Sequence, residues 1–126
     1  MTKKTKILLI DDDPLILMTL LHYFCDKGYA VAAANSPDLI VSKIDPHEFD
    51  VVITDYRMEP IDGIEMIRNL RNKGFAGKII LVSALCGLNK QALDELRVDA
   101  FFEKPFDIDG IHKKIKEWTG GHNFKA

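Results

Sequence analysis

Several things are scarce in this sequence of 126 residues, and each scarcity removes a class of protein. There are two cysteines, Cys25 and Cys86, both within apolar stretches and neither with the spacing of metal ligands. A disulfide framework and a zinc module are thereby excluded, and both thiols are expected in the core of a protein from a reducing compartment. Charge of one sign is not concentrated either. Lys and Arg are scattered along a chain of formal net charge −2, so no nucleic-acid or membrane footprint is expected. The first apolar run, Ile7-Leu8-Leu9-Ile10, is far too short for a signal peptide or a membrane span, which places the protein in the cytoplasm. After that run stands Asp-Asp-Asp-Pro, where a flavin or nucleotide module would need a glycine-rich phosphate loop. Repeats and low-complexity segments are missing, and no helix-turn-helix, catalytic or transmitter segment follows Trp118, which fits either a stand-alone domain or one domain cut from a longer protein.

What is present is an alternation of short apolar runs with helical patterns. Apolar residues make up 47% of the chain, enough for one packed domain, with 1–119 as that domain and 120–126 as a tail or linker stub. Strands are predicted at Ile7–Ile10, Tyr29–Ala33, Val51–Thr54, Ile79–Val82 and Ala100–Phe102. Asp13-Pro14 reads as an N-cap followed by a first-turn proline. It opens a helix with a buried stripe of Leu17, Leu20, Leu21 and Phe24, and Gly28 ends it. Ser36-Pro37-Asp38 repeats that start for a weak second helix through Ile44. A third helix spans Ile64–Asn72 and stops at Gly74, a fourth spans Leu88–Leu96, and Ile108, Ile111, Ile115 and Trp118 mark the face of a fifth.

Five βα units in succession imply an α/β fold, a doubly wound parallel sheet with helices on both faces. Strands one, three and four are apolar at nearly every position, as strands covered on both sides are. They belong in the interior, which the order 2-1-3-4-5 satisfies.

In such sheets a site forms at the carboxyl ends of the strands, beside the point where strand order reverses. That point lies between strands one and three. Asp11 and Asp12 follow the first strand, Asp55 the third, Ser83 ends the fourth, and the fifth runs out to Lys104. Asp and Ser often merely cap turns, and Asp13 does so here, but that reading does not account for the whole set. Clustered carboxylates stay ionised only with a cation among them, and a hard divalent ion such as Mg²⁺ (or Mn²⁺) suits oxygen ligands. A carboxylate is deprotonated at neutral pH, so Asp55 needs no general base to act as a nucleophile. Lys104 and the metal would take the charge of transferred phosphoryl oxygens, and no base for rapid hydrolysis is evident. This asymmetry suits a switch.

The sequence at this point closely resembles the receiver domain of two-component response regulators, with its flavodoxin-like (βα)₅ fold. The motifs are Ile-Leu-Leu-Ile-Asp-Asp-Asp-Pro at 7–14, Asp-Val-Val-Ile-Thr-Asp at 50–55, Met58 with Ile61-Asp62-Gly63, Val-Ser-Ala at 82–84 and Phe-Phe-Glu-Lys-Pro-Phe at 101–106. The resemblance runs from about Lys6 to Trp118. It implies that Asp55 accepts a phosphoryl group from a sensor histidine kinase or a histidine phosphotransfer protein. It further implies that Asp12 binds Mg²⁺ directly, Asp11 mostly through water, and Arg57 through its backbone carbonyl. Ser83 and Ala84 would meet the phosphate, Lys104 would pair with it next to a cis bond to Pro105, and Phe101 would rotate inward. A downstream effector would then read the surface of the fourth helix, fifth strand and fifth helix; a homodimer contact across the fourth and fifth helices is a separate expectation.

The sequence departs from the family pattern at four places. Glu59 precedes Pro60 where a proline usually follows Met58, Arg57 is a bulky cation beside the acceptor, and Leu85 offers nothing to orient a hydrolytic water. A long-lived phosphorylated form is expected because that water is poorly placed, and the loop after Asp55 is expected to take another path at Glu59-Pro60. Arg97 stands where glycine commonly ends the fourth helix. A phosphohydrolase with an aspartyl nucleophile would need a second carboxylate at position 57, so a turnover enzyme is not indicated. A receiver that docks without being phosphorylated is the alternative. His22, His47, His112 and His122 lack ligand spacing and read as surface or helix residues, and Lys113, Lys114 and Lys116 as a solvated helix face. Leu15, Ile16 and Met18 exceed what one buried stripe needs; core packing is the favoured reading, a docking face for the kinase the other.

Overall fold

A computed structural model of the chain describes residues 4–35, 45–55, 63–83 and 90–119. Five strands, β1 (Lys6–Ile10), β2 (Ala30–Ala34), β3 (Val51–Asp55), β4 (Lys78–Ser83) and β5 (Ala100–Glu103), form one parallel sheet in the order β2-β1-β3-β4-β5. The described helices are α1 (Pro14–Asp26), α2 (Gly63–Asn72), α3 (Lys90–Glu95) and α4 (Ile108–Thr119), with a 3₁₀ turn at Pro46–Glu48. In the sequence count α2, α3 and α4 are the third, fourth and fifth helices. The helix expected from Ser36 to Ile44 lies outside the described residues.

The interior strands are apolar throughout because alternate side chains serve two cores. Leu8 and Ile10 of β1, Val52 of β3, and Ile79 and Leu81 of β4 pack with Met66, Ile67 and Leu70 of α2. Ile7, Leu9, Val51, Ile53, Ile80 and Val82 turn the other way, onto Leu20 and Phe24 of α1 and Ile111 and Ile115 of α4. β2 and β5 lie at the edges and are only partly buried.

Helix ends follow local chemistry. The Asp13 carboxylate accepts the Leu15 N–H at 2.9 Å, Pro14 fills the first turn, and Gly28 leaves the helix at φ 95°. Past α3 the left-handed position is held by Arg97 at φ 58°, which for a side chain with a Cβ costs roughly 1 kcal/mol. At Gly77 a Cβ would sit 2.5 Å from the Asp50 carbonyl oxygen and 2.5 Å from the Phe75 ring, so only glycine fits where that turn enters β4.

Two sequence expectations need correction, and a third gains a detail. Cys25 is exposed rather than buried: it follows Phe24, and one step along a helix rotates a side chain about 100° away from the sheet. Cys86 lies outside the described residues. Leu15 and Met18 are 74% and 53% exposed, so core packing holds for Ile16 alone of that group. His112 is on a helix as expected, but it is buried, edge-on to the rings of Tyr23, Phe24 and Tyr29 at 5.7, 5.9 and 5.4 Å.

Candidate functional site

The carboxyl ends of β1, β3, β4 and β5 bring the chemistry-bearing residues to one edge of the sheet. Asp11 leaves β1 almost fully buried, held by its main-chain N–H to the Ala34 carbonyl at 3.2 Å. Its carboxylate accepts the Asp13 N–H at 2.8 Å, which turns the chain and leaves Asp12 exposed. Asp55 is the last residue of β3 and is buried. One carboxylate oxygen from each of Asp11, Asp12 and Asp55 lies within 4.8 Å of the others.

Lys104 reaches this cluster from the end of β5. Its main-chain N–H donates to the Ser83 carbonyl at 2.7 Å, and the peptide bond to Pro105 is cis. Its Nζ donates to Asp55 Oδ2 at 3.1 Å and to Asp11 Oδ2 at 3.4 Å. Burial alone would lower the lysine's pKa. The hydrogen bond to Asp55 and the charges of Asp11 and Asp55 outweigh it, and the net shift is upward. Burial raises the pKa of Asp11, against the opposing pull of the Asp13 N–H and Lys104. Ser83 is buried at the end of β4, and Phe101 is half-buried against the α2-side core. Arg57 and Ala84 lie outside the described residues, as do Glu59, Pro60 and Leu85.

Among the described residues, the cluster sets three carboxylates against one ammonium. All its donors to a metal are hard oxygens, more than one of them charged, and this set fits Mg²⁺ or Mn²⁺. Among the sequence-derived residues the structure thus gathers Asp11, Asp12, Asp55 and Lys104, with Ser83 joined through the main chain. Sequence reasoning missed a second charged centre at the opposite edge. There the Arg71 Nη1 donates to the carbonyls of Phe75 and Gly77 at 2.9 and 2.8 Å. Its Nη2 donates to the Arg97 carbonyl and to Asp99 Oδ2. Nothing local in the sequence marks Arg71, because its partners are mostly main-chain oxygens brought in by the fold.

Comparison with known proteins gives the family and the fold. The model of the response regulator receiver domain matches residues 7–116, and the chain belongs to that family. It is 33% identical over 117 residues to sporulation initiation phosphotransferase F of Bacillus subtilis, covering 90% of this chain and 92% of that protein. Against the transcriptional regulatory protein ResD of Bacillus subtilis the identity is 30% over 115 residues, with 91% of this chain and 48% of that protein covered. The chain therefore spans about half the length of such curated relatives. Among solved structures, the receiver domain of the Francisella response regulator 1452 superposes with a TM-score of 0.77 at 27% identity, covering 90% of this chain and 94% of that one.

Proposed function

We propose that this domain is the phospho-accepting element of a two-component relay and that Asp55 is the acceptor. The observation that carries this reading is the placement of Lys104 Nζ 3.1 Å from Asp55 Oδ2 inside a cluster of three carboxylates at the switch point of the sheet. An Asp55 oxygen attacks the phosphorus of a phosphohistidine. A P–O bond forms as the P–N bond breaks, and its electron pair stays on the imidazole nitrogen, which then takes a proton. Lys104 meets the phosphoryl oxygens with an ammonium whose raised pKa keeps it charged. Asp11 and Asp12, with Asp55 and the Arg57 carbonyl, would hold Mg²⁺ or Mn²⁺, which supplies further charge neutralisation. Ser83 and Ala84 would meet the phosphate, and Phe101 would turn with it, biasing a two-state surface on α3, β5 and α4 that an effector reads.

The donor is a histidine kinase or phosphotransfer protein. The exposed Leu15 and Met18 of α1, close in sequence to Asp11 and Asp12, supply an apolar contact for it. Residues 1–119 constitute the receiver, 120–126 a tail or linker, and the setting is cytoplasmic; among the described residues no helix is long and apolar enough to cross a membrane. The domain signals and does not turn over substrate. Intact mass after incubation with acetyl phosphate and Mg²⁺ tests the reading. One added phosphoryl group is expected, dependent on Mg²⁺ and absent in Asp55→Asn. No addition from acetyl phosphate or from a phosphohistidine donor would leave a docking module that is not phosphorylated.

A further inference from the structure

Between α2 and the turn that ends α3 lies a cavity of about 320 Å³, at the lower end of the size range of small-molecule sites. It is lined by three arginines, Arg68, Arg71 and Arg97, by one carboxylate, Glu95, and by Ile64 and Leu96. The three arginines differ in what already occupies them. Arg71 is 8% exposed, and both its terminal nitrogens are engaged by main-chain carbonyls and Asp99, while its buried Nε has no hydrogen-bond partner. Arg68 and Arg97 are exposed, and neither guanidinium has a hydrogen bond or ion pair among the described residues.

Two further observations bear on Arg97. It holds a left-handed backbone that glycine would adopt freely, so a guanidinium is kept there at a conformational cost. Its charge also presses on a neighbour: burial first, and the Arg97 charge with it, lower the Arg71 pKa against the opposing pull of Asp99. Like charges crowded at a cavity are relieved by an anion. Two forked guanidiniums present more donors than one carboxylate can accept. A phosphate monoester has three terminal oxygens and about two negative charges near neutral pH.

We infer that this cavity binds a small phosphorylated organic anion, its phosphate between Arg68 and Arg97 and its carbon skeleton against Ile64 and Leu96. The site is separate from the Asp55 cluster, which lies at the other edge of the sheet, and it does not depend on Asp55 being phosphorylated. A ligand there ties α2 to the turn that joins α3 to β5, and so acts on the same surface the effector would read.

The test is an amide NMR titration of the whole chain with phenyl phosphate, in parallel with benzoate, at constant ionic strength and without Mg²⁺. Saturable shifts centred on Arg68, Arg71, Leu96 and Arg97 are expected, with benzoate binding about tenfold more weakly or worse. Arg97→Gly removes one guanidinium and also relieves the left-handed strain, so it folds at least as well as the parent. It should weaken phenyl phosphate by about tenfold, and Arg68→Gln on the exposed face of α2 should do the same. Shifts centred instead on Ser83 and Lys104, no saturation, an unchanged affinity in Arg97→Gly, or equal binding of benzoate would each overturn the inference.

Discussion

The two edges of the sheet treat buried charge in opposite ways. At the amino edge, Arg71 is surrounded by acceptors: three main-chain carbonyls and Asp99, which also lies 3.8 Å from Lys78. At the carboxyl edge, Asp11 and Asp55 share the ammonium of Lys104, with Asp12 beside them. In the first cluster both terminal nitrogens of the guanidinium are engaged by the protein's own groups, which join α2 to the turns before β4 and β5. Among the described residues, the second sets three carboxylates beside one ammonium. A cation matched inside the fold is a fastening, whereas a surplus of carboxylates at a crevice suits an ion from outside.

The sharpest way to break this contrast is to cut the fastening. Arg71→Met leaves the carbonyls of Phe75, Gly77 and Arg97 without this donor and Asp99 with only the Ile79 N–H and Lys78, and should lower unfolding stability by about 3 kcal/mol in urea titrations. A loss below about 1 kcal/mol would show that water replaces the guanidinium readily, and the two edges would then be alike. The carboxyl edge should answer to added cation instead. Mg²⁺ at about 100 times its dissociation constant should stabilise the parent by about 2.7 kcal/mol. Asp12→Asn should lose most of that increment while Arg71→Met keeps it. An equal Mg²⁺ response in all three proteins would mean the ion acts elsewhere.

The smallest effect concerns His112, which sits between the two extremes by staying uncharged. Burial lowers its pKa below 6.5, with Lys116 and Lys27 adding to the effect and Asp109 partly opposing it. The unfolded chain therefore takes up a proton that the folded chain resists. Stability from this group is full above pH 6.5 and declines as the pH falls through the lowered value. His112→Gln should flatten the stability profile on that acid side, read from urea midpoints across pH. An identical slope in the variant would assign the acid sensitivity to other groups.

The parts of the molecule that could be read in advance are those whose cause is local or periodic. Asp13, Pro14 and Gly28 mark α1 because a cap and a left-handed exit are decided within a few residues. The apolar runs of β1, β3 and β4 announced interior strands because two-sided burial removes alternation. Asp11, Asp12, Asp55 and Lys104 were legible because strand ends in a parallel sheet converge at one edge. Arg71 was not legible, since its acceptors at Gly77, Arg97 and Asp99 are assembled only by the fold. The burial of His112 and the exposure of Cys25, Leu15 and Met18 depend on how far each helix is rotated against the sheet. An apolar pattern without a clean stripe leaves that rotation unspecified.

The hydrogen bond from the Lys104 main chain to the Ser83 carbonyl has a consequence for engineering. The ammonium hangs from a backbone that is itself tethered to the end of β4, so position 104 combines two separable contributions. A methionine there would delete the charge and leave the tether, whereas loosening the tether would let an intact ammonium drift. The electrical character of the pocket and its shape can therefore be altered one at a time.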